Sequence, residues 1–145
     1  MNLISSSPGI KNNYYNDDIK HKIYPEIIFV FGSNLAGRHG KGAAIQAVED
    51  HGAIYGIGTG LVDNSYAIPT KDFFIRTLPL DKIRLYINQF VRFTNLCDLE
   101  FFVTPVGTGL AGYRHEQIAP MFIGVRNCWL PYSWKDYMEI CDGVW

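Results

Sequence analysis

The sequence predicts an α/β fold around a largely parallel sheet, and three segments support this prediction. Residues 27–31 form a β-branched and aromatic run without polar alternation, which is typical of a strand buried on both faces. Residues 81–96 place apolar side chains on one helical face and charged side chains on the other. Residues 101–112 join a short apolar run to a glycine-rich loop that precedes a further helical pattern. Strands that alternate with helices in this way are typical of an α/β protein.

The first part of the chain is predicted to hold an irregular lead-in, the strand at 27–31 and a helix. Residues 1–26 are largely polar and have no periodicity, so we expect an irregular segment with space for one short edge element. A helix is predicted over residues 41–51, with Ala44, Ile45 and Val48 at helical spacing.

The elements after this helix are shorter. The glycine-rich segment 52–60 suits either a mobile loop or a backbone that a ligand approaches closely. The remaining predicted elements are a strand at 66–68 ending at Pro69, a helix at 81–96 with Asp81 as N-cap, a strand at 100–106, a helix at 114–123, and a strand at 125–130 before an aromatic tail.

Composition limits the classes of protein to which the chain can belong. Its 145 residues, 48% hydrophobic, fit one domain spanning residues 1–145. A net charge of −1 gives no basic field of the kind that duplex nucleic acid attracts. The three cysteines, Cys97, Cys128 and Cys141, include no C-x-x-C pair, which argues against a disulfide framework or a zinc cluster. No apolar run approaches the length of a membrane span, so we expect a soluble protein in the cytoplasm, with no membrane partner.

The loop after residues 101–106 is the strongest indication of a ligand. It spells G-x-G-x-x-G, and glycines there allow the backbone to turn sharply and to come close to a bound group. Free amides and the positive end of a following helix favour an anion, so the expected ligand is phosphorylated and nucleotide-derived. The same glycines could also end a strand in an ordinary turn.

Two familiar nucleotide-binding classes do not fit this loop. A Rossmann dinucleotide domain opens with its glycine fingerprint and continues into further strand–helix–strand units, whereas this loop lies late in the chain. A Walker A loop requires G-K-S or G-K-T after its glycines, and neither glycine loop continues that way. The basic stretch 38–42 could contact phosphate or ribose, or could be a solvated loop before the helix.

Glycine-containing loops around 32–42, 56–60 and 107–112 each adjoin a predicted strand. Ligands of open parallel sheets bind at the carboxyl ends of the strands, so these loops are predicted to converge on one cleft. The histidines His39, His51 and His115 include no pair at i, i+4 spacing that would bind one metal, and neither a metal nor a cofactor is expected.

Several ordered blocks together resemble the macro domain family, which binds ADP-ribose. The blocks are residues 29–34 with 40–46, residues 58–60 with 66–71, and residues 104–113. The similarity covers about residues 27–124 and is closest to DNA ADP-ribosyl glycohydrolase antitoxins, terminal ADP-ribose protein glycohydrolases, and small macro-like proteins of phages and bacteria. It implies a three-layer architecture with a mostly parallel mixed sheet between helices, and an ADP-ribosylated macromolecule or free ADP-ribose as partner.

The resemblance also implies roles for individual residues. Asn34 would meet the distal ribose, and Lys71 matches a lysine that some members use to attack or polarise its anomeric carbon. Apart from the resemblance, Tyr113 could close over the distal ribose or pack against the sheet as part of the core. The remaining ligand-binding residues implied by the matched loops are Gly40, Lys41, Gly42, Thr59, Gly107, Thr108, Gly109, Leu110, Ala111 and Gly112.

The chain departs from the family where acids are expected. Gly42 stands where one type of hydrolase has an aspartate, and Ala111 stands where the lysine-using glycohydrolase has an acidic residue. Asp72 is adjacent to Lys71 along a strand and would point to the opposite face. Three hypotheses follow: an ADP-ribosyl hydrolase using Lys71, a non-catalytic binder or sponge of an ADP-ribose-like signal, and an α/β domain whose glycines only form turns.

Overall fold

The computed structural model describes residues 12–139, so Cys141 and Trp145 lie outside the described residues. In chain order the elements are β1 (Asn13–Tyr15), β2 (Ile28–Asn34), α1 (Ala43–His51), β3 (Gly60–Val62), β4 (Ser65–Lys71), α2 (Leu80–Asn95), β5 (Phe101–Val103), α3 (His115–Ile118), β6 (Cys128–Pro131) and α4 (Lys135–Glu139), with 3₁₀ turns at Ala119–Phe122 and Tyr132–Trp134.

The strands form one six-stranded sheet in the order β1-β6-β5-β2-β4-β3. All neighbours are parallel except β3, which runs antiparallel to β4 at one edge. The predicted three-layer α/β fold with a mostly parallel mixed sheet is confirmed. The edge element expected in the lead-in is β1, which pairs with β6.

The central strand β2 separates two cores because its side chains alternate between the faces of the sheet. Ile28 and Val30 enter a core formed with α2, α3 and α4. Phe29 and Phe31 enter a smaller core beneath α1. Burial on both faces explains why residues 28–31 of β2 include no polar residue.

Helix α1 packs on the sheet mainly through small side chains. Ala44, Ala47 and His51 are buried, whereas Ile45 and Val48 are exposed. The small alanine side chains let the helix lie close to the sheet. The predicted helix is present over Ala43–His51, and of the three residues noted for their helical spacing Ala44 is the buried one.

Several predicted bounds also change. Strand β4 continues past Pro69 because its pairing with β2 extends to Lys71, and β3 was not predicted at all. Helix α2 begins at Leu80 with Pro79 as N-cap, so Asp81 is not the N-cap and lies in the first turn. Its negative charge there interacts favourably with the helix dipole. The last three predicted elements are shorter or shifted: β5 spans Phe101–Val103, α3 gives way to a 3₁₀ turn at Ala119–Phe122, and β6 spans Cys128–Pro131.

Two general features of residues 12–139 bear on the chemistry. None of their helices combines the length and apolarity needed to cross a lipid bilayer. Cys97 and Cys128 are free thiols, and Cys128 is buried. Burial raises the pKa of the Cys128 thiol well above its usual value, which disfavours the reactive thiolate.

Candidate functional site

A cleft of about 540 Å³ lies where the carboxyl ends of β5, β2 and β4 meet. The adjacent strands β2 and β4 end together, with Asn34 opposite Lys71 after a register shift between Ser33 and Asn34. Residues from three loops and strand ends line the cleft: Gly32, Ser33, Asn34, Arg38, Gly40, Lys41, Gly42, Ala43, Ala44, Tyr55, Thr70, Lys71, Ile75, Thr104, Pro105, Val106, Gly107, Gly109, Leu110 and Ala111. Its volume falls within the range of small-molecule pockets.

The charged side chains of this lining are all cationic. Arg38, Lys41 and Lys71 line the cleft, and no aspartate or glutamate among residues 12–139 does so. The salt bridges of this part of the chain, Arg114 to Glu116 and Arg126 to Asp98, do not involve these cations. The cleft therefore attracts anions.

The backbone adds hydrogen-bond donors to these charges. Within the described part of the chain, no acceptor is paired with the amides of Gly40, Lys41, Gly42, Gly107, Gly109, Leu110 and Ala111. Helix α1 starts at the same wall, and no side chain caps its first turn. Unpaired amides together with the positive end of a helix form a suitable environment for a phosphate group.

Glycines in these two walls leave the cleft open. A Cβ atom built at Gly40, Gly42 or Gly109 would meet no atom within 4 Å. Protein packing therefore does not require glycine at these positions. The space that a side chain would occupy is available to a ligand close to the backbone.

Asn34, predicted to contact the distal ribose, holds the first loop in place. Its side-chain Nδ2 donates to the Arg38 carbonyl at 2.9 Å, and its Oδ1 accepts from the Arg38 amide at 3.0 Å. The side chain also borders the cleft. These two bonds fix the backbone from which the Arg38 guanidinium extends.

The glycine loop at 56–60 does not contribute to the cleft as predicted, and Thr59 does not line it. It packs instead against the loop after β2. A Cβ at Gly58 would overlap the Asn34 carbonyl, and one at Gly37 would overlap the backbone at Gly56. The Ser33 hydroxyl donates to the Gly58 carbonyl at 2.5 Å. These glycines therefore allow close contact between two protein loops.

Three residues of the second loop also lie outside the lining: Thr108, Gly112 and Tyr113. The Thr108 hydroxyl donates to the Pro105 carbonyl at 2.8 Å. The Tyr113 hydroxyl donates to the Leu78 carbonyl at 2.6 Å, and its ring packs against the larger core. Both side chains therefore stabilise the loop through these hydrogen bonds.

Lys71 lies in the cleft without a carboxylate beside it. Gly42 and Ala111, where acids were expected, line the cleft themselves. Asp72 is engaged elsewhere, because its Oδ1 accepts from the amides of Phe74 and Arg76 at 2.8 and 2.9 Å. Among residues 12–139 the cleft therefore contains an amine and no carboxylate that could act as general base.

Sequence reasoning missed Tyr55 and Ile75, which both line the cleft. Tyr55 is 63% exposed, and its ring lies edge-on to buried His39. An exposed aromatic residue within a glycine-rich segment was the available signal. Ile75 gave none, because its place depends on a turn that only the structure reveals.

His39, His51 and His115 each contact other groups of the protein. His39 Nε2 lies 2.9 Å from the Ile57 carbonyl, and His115 Nδ1 accepts from the Trp134 indole at 3.0 Å. His51 stacks on Phe29 with ring centroids 4.4 Å apart. Residues 12–139 contain no group of three or more histidine, cysteine or acidic side chains arranged to hold a metal ion.

No protein-family model, curated protein or solved structure matches the chain. The resemblance to macro domains therefore stays a prediction that rests on the sequence blocks.

Proposed function

We propose that this protein binds ADP-ribose, or an ADP-ribosyl group on a larger molecule, in the cleft at the carboxyl ends of β5, β2 and β4. The observation that carries the proposal is the cleft's combination of cations and unpaired amides without a carboxylate. Several cations and several amide donors together favour a ligand that presents many phosphate oxygens. The choice of ADP-ribose among such ligands comes from the sequence blocks.

In the proposed complex the diphosphate lies against the amides of Gly107, Gly109, Leu110 and Ala111. The amides of Gly40 and Gly42 and the start of α1 hold its other side. Arg38 and Lys41 neutralise its charge, and Lys71 faces the distal ribose. We also propose a cytoplasmic location, in the host if a phage encodes the chain, supported by the unpaired thiols of Cys97 and Cys128.

Binding without hydrolysis is the preferred form of this proposal. Glycoside cleavage generally requires a general base for water, and the described cleft residues provide no carboxylate for that role. A binding module or sponge needs only the anion cradle.

Calorimetric titration with ADP-ribose tests the proposal. We expect saturable binding that weakens as salt concentration rises, because the contacts are charge-assisted. Adenosine, which lacks phosphate, should produce no saturable heat at the same concentrations. An absence of heat with ADP-ribose would remove the proposal.

Hydrolysis is the second candidate, and the position of Lys71 in the cleft supports it. If ADP-ribosylated substrates are processed, Lys71→Ala should abolish turnover, whereas Lys41→Ala should only weaken binding. Equal turnover in these two variants would exclude lysine chemistry at residue 71.

A further inference from the structure

Residues 38–42, which we name the first wall, contain a single buried side chain. Arg38, Gly40, Lys41 and Gly42 line the cleft and are exposed. His39 lies among them in the sequence, but it is 3% exposed and does not line the cleft. His39 is therefore the residue of the first wall that points into the protein.

The first wall has few backbone hydrogen bonds of its own. The amides of Gly40, Lys41 and Gly42 have no acceptor among residues 12–139. The Asn34 side chain holds the backbone of Arg38 through two hydrogen bonds, and helix α1 begins directly after Gly42. Between these two fixed ends, the course of the backbone depends on how the His39 side chain is held.

The imidazole of His39 makes one hydrogen bond to the protein. Its Nε2 lies 2.9 Å from the Ile57 carbonyl oxygen. A carbonyl oxygen only accepts, so Nε2 carries the proton and donates it. The Nδ1 atom is buried and has no hydrogen-bond partner within the described part of the chain. The bond to Ile57 is therefore the polar contact that holds this ring.

The Ile57 carbonyl belongs to a segment that is packed firmly against the loop after β2. The Gly56 amide donates to the Gly37 carbonyl at 2.8 Å, and the Ile57 amide donates to the Ile54 carbonyl at 3.1 Å. The Ser33 hydroxyl donates to the Gly58 carbonyl. These bonds fix the acceptor relative to β2, so the His39 bond links the first wall to a rigid part of the fold.

The ring of His39 also packs in the smaller core. It lies edge-on to Phe31, with ring centroids 5.3 Å apart, and Phe31 is completely buried. A phenylalanine at residue 39 would keep a ring against Phe31 and would remove the donor to Ile57. The ring contact and the hydrogen bond can therefore be tested separately.

We propose that His39 is a positioning residue for the anion site, whose bond to Ile57 holds Arg38 in place against the ligand. Arg38 lies between two anchors, because Asn34 bonds its own backbone and His39 fixes the next residue. The effect on ADP-ribose binding rests on the proposed function. The effect on the first wall itself does not depend on a ligand and can be measured in the free protein.

The test compares two replacements of His39 with one control. His39→Phe removes the donor and keeps a ring, whereas the side-chain amide of His39→Gln can donate to the same carbonyl. His51→Phe is the matched control, because His51 is also a buried histidine against a phenylalanine and does not line the cleft. Calorimetry measures ADP-ribose affinity at low and high salt. Hydrogen exchange in the free proteins follows the Arg38 amide, which donates to Asn34 Oδ1 at 3.0 Å.

We expect His39→Phe to weaken ADP-ribose binding by about 3- to 10-fold at low salt, the range for one hydrogen bond. The loss should be smaller at high salt, because salt screens the charge of Arg38. Exchange of the Arg38 amide should become at least about threefold faster, because the local structure opens more often. His39→Gln should recover most of both losses, and His51→Phe should match the wild type in both measurements.

A double-mutant cycle tests whether His39 acts through Arg38. If it does, Arg38→Ala combined with His39→Phe should weaken binding about as much as Arg38→Ala alone. Single losses that multiply in the double variant would overturn the proposal. A loss in His39→Phe that is the same at both salt concentrations would also overturn it, because a general loss of structure has no such salt dependence.

The failures of the two proposals are distinguishable. If the wild type gives no heat with ADP-ribose, the proposed function fails, and faster Arg38 exchange in His39→Phe with recovery in His39→Gln still supports positioning. If the wild type binds ADP-ribose and His39→Phe binds it equally tightly, the positioning role is wrong and the proposed function stands. Unchanged exchange of the Arg38 amide, or equal losses in His39→Phe and His39→Gln, would likewise overturn the role of the bond to Ile57.

Discussion

Glycines serve two different purposes in the two glycine-rich regions of this protein. At Gly37 and Gly58 an added Cβ would overlap backbone of a neighbouring loop. At Gly40 and Gly109 the same atom would enter open space beside the cations. The first region is packed by protein, and the second is left empty at a site with unpaired amides. A glycine-rich sequence therefore does not by itself show whether its glycines pack against protein or face a ligand.

The largest difference between the regions should appear in stability. Gly58→Ala should lower the free energy of unfolding by about 2 kcal/mol or more, because its Cβ overlaps the Asn34 carbonyl. Gly40→Ala, the matched control, should be neutral or stabilise by up to about 1 kcal/mol. Denaturant unfolding of both variants measures the effect. Equal free energies of unfolding for the two variants would contradict the distinction between packed and open glycines.

A substitution in the open glycine wall should lower ligand affinity and leave stability almost unchanged. Gly109→Leu places a side chain in the open wall, so ADP-ribose affinity should fall by at least about tenfold while the unfolding midpoint changes little. Calorimetry and thermal unfolding of the same sample check both values. Wild-type affinity in this variant would mean that the ligand does not approach the second loop.

A cation at the open wall should contribute a smaller amount. Arg38→Ala is expected to weaken ADP-ribose binding by about tenfold at low salt, with a smaller difference at high salt. Arg84→Ala, an exposed position on α2, is the control and should leave affinity unchanged. Matching losses in both variants would attribute the effect to net charge instead of the cleft.

The smallest predicted effect concerns His51, which belongs to the packed side of α1. Burial lowers the pKa of His51 below its usual 6.5, and Asp50 opposes this only in part. Its contribution to stability is therefore present above pH 6.5 and is lost as the pH falls, because the unfolded chain takes up the proton first. The slope from one group is at most about 1.4 kcal/mol per pH unit.

Unfolding curves at several pH values between neutrality and mild acid, recorded for the wild type and His51→Phe, measure this contribution. The phenylalanine keeps a ring against Phe29 and should flatten part of the acid-side decline. Identical pH profiles would show that the pKa of His51 is the same in the folded and unfolded states. ADP-ribose affinity should be the same in both proteins at neutral pH.

The sequence predicted those parts of the fold that repeat a local pattern. The apolar run of β2 and the amphipathic face of α2 are visible without tertiary information. Strand β3 has three residues and exists because it pairs with β4, so its own sequence contains too little pattern to reveal it. Helical spacing predicts α1 as a helix, but it does not show that Ala47 and His51 are buried while Ile45 and Val48 are exposed.

The site was predicted less completely, for a related reason. The two open glycine walls and Lys71 follow strand ends, and parallel strands bring their ends together. The hydroxyl of Tyr113, however, bonds a residue 35 positions away, and the loop at Thr59 packs on another loop. Such long-range contacts determine whether a side chain faces a ligand or the protein, and no local motif encodes them.

An amide-resolved NMR titration with ADP-ribose tests the distinction between the two regions most directly. The amides of Gly40, Lys41, Gly42, Gly107, Gly109, Leu110 and Ala111 have no acceptor in the described part of the chain and should shift most on binding. The amides of Gly37 and Gly56 already donate to protein carbonyls and should shift little. Shifts concentrated at Gly37 and Gly56, or no shifts at all, would contradict the assignment of the open glycine walls to the ligand.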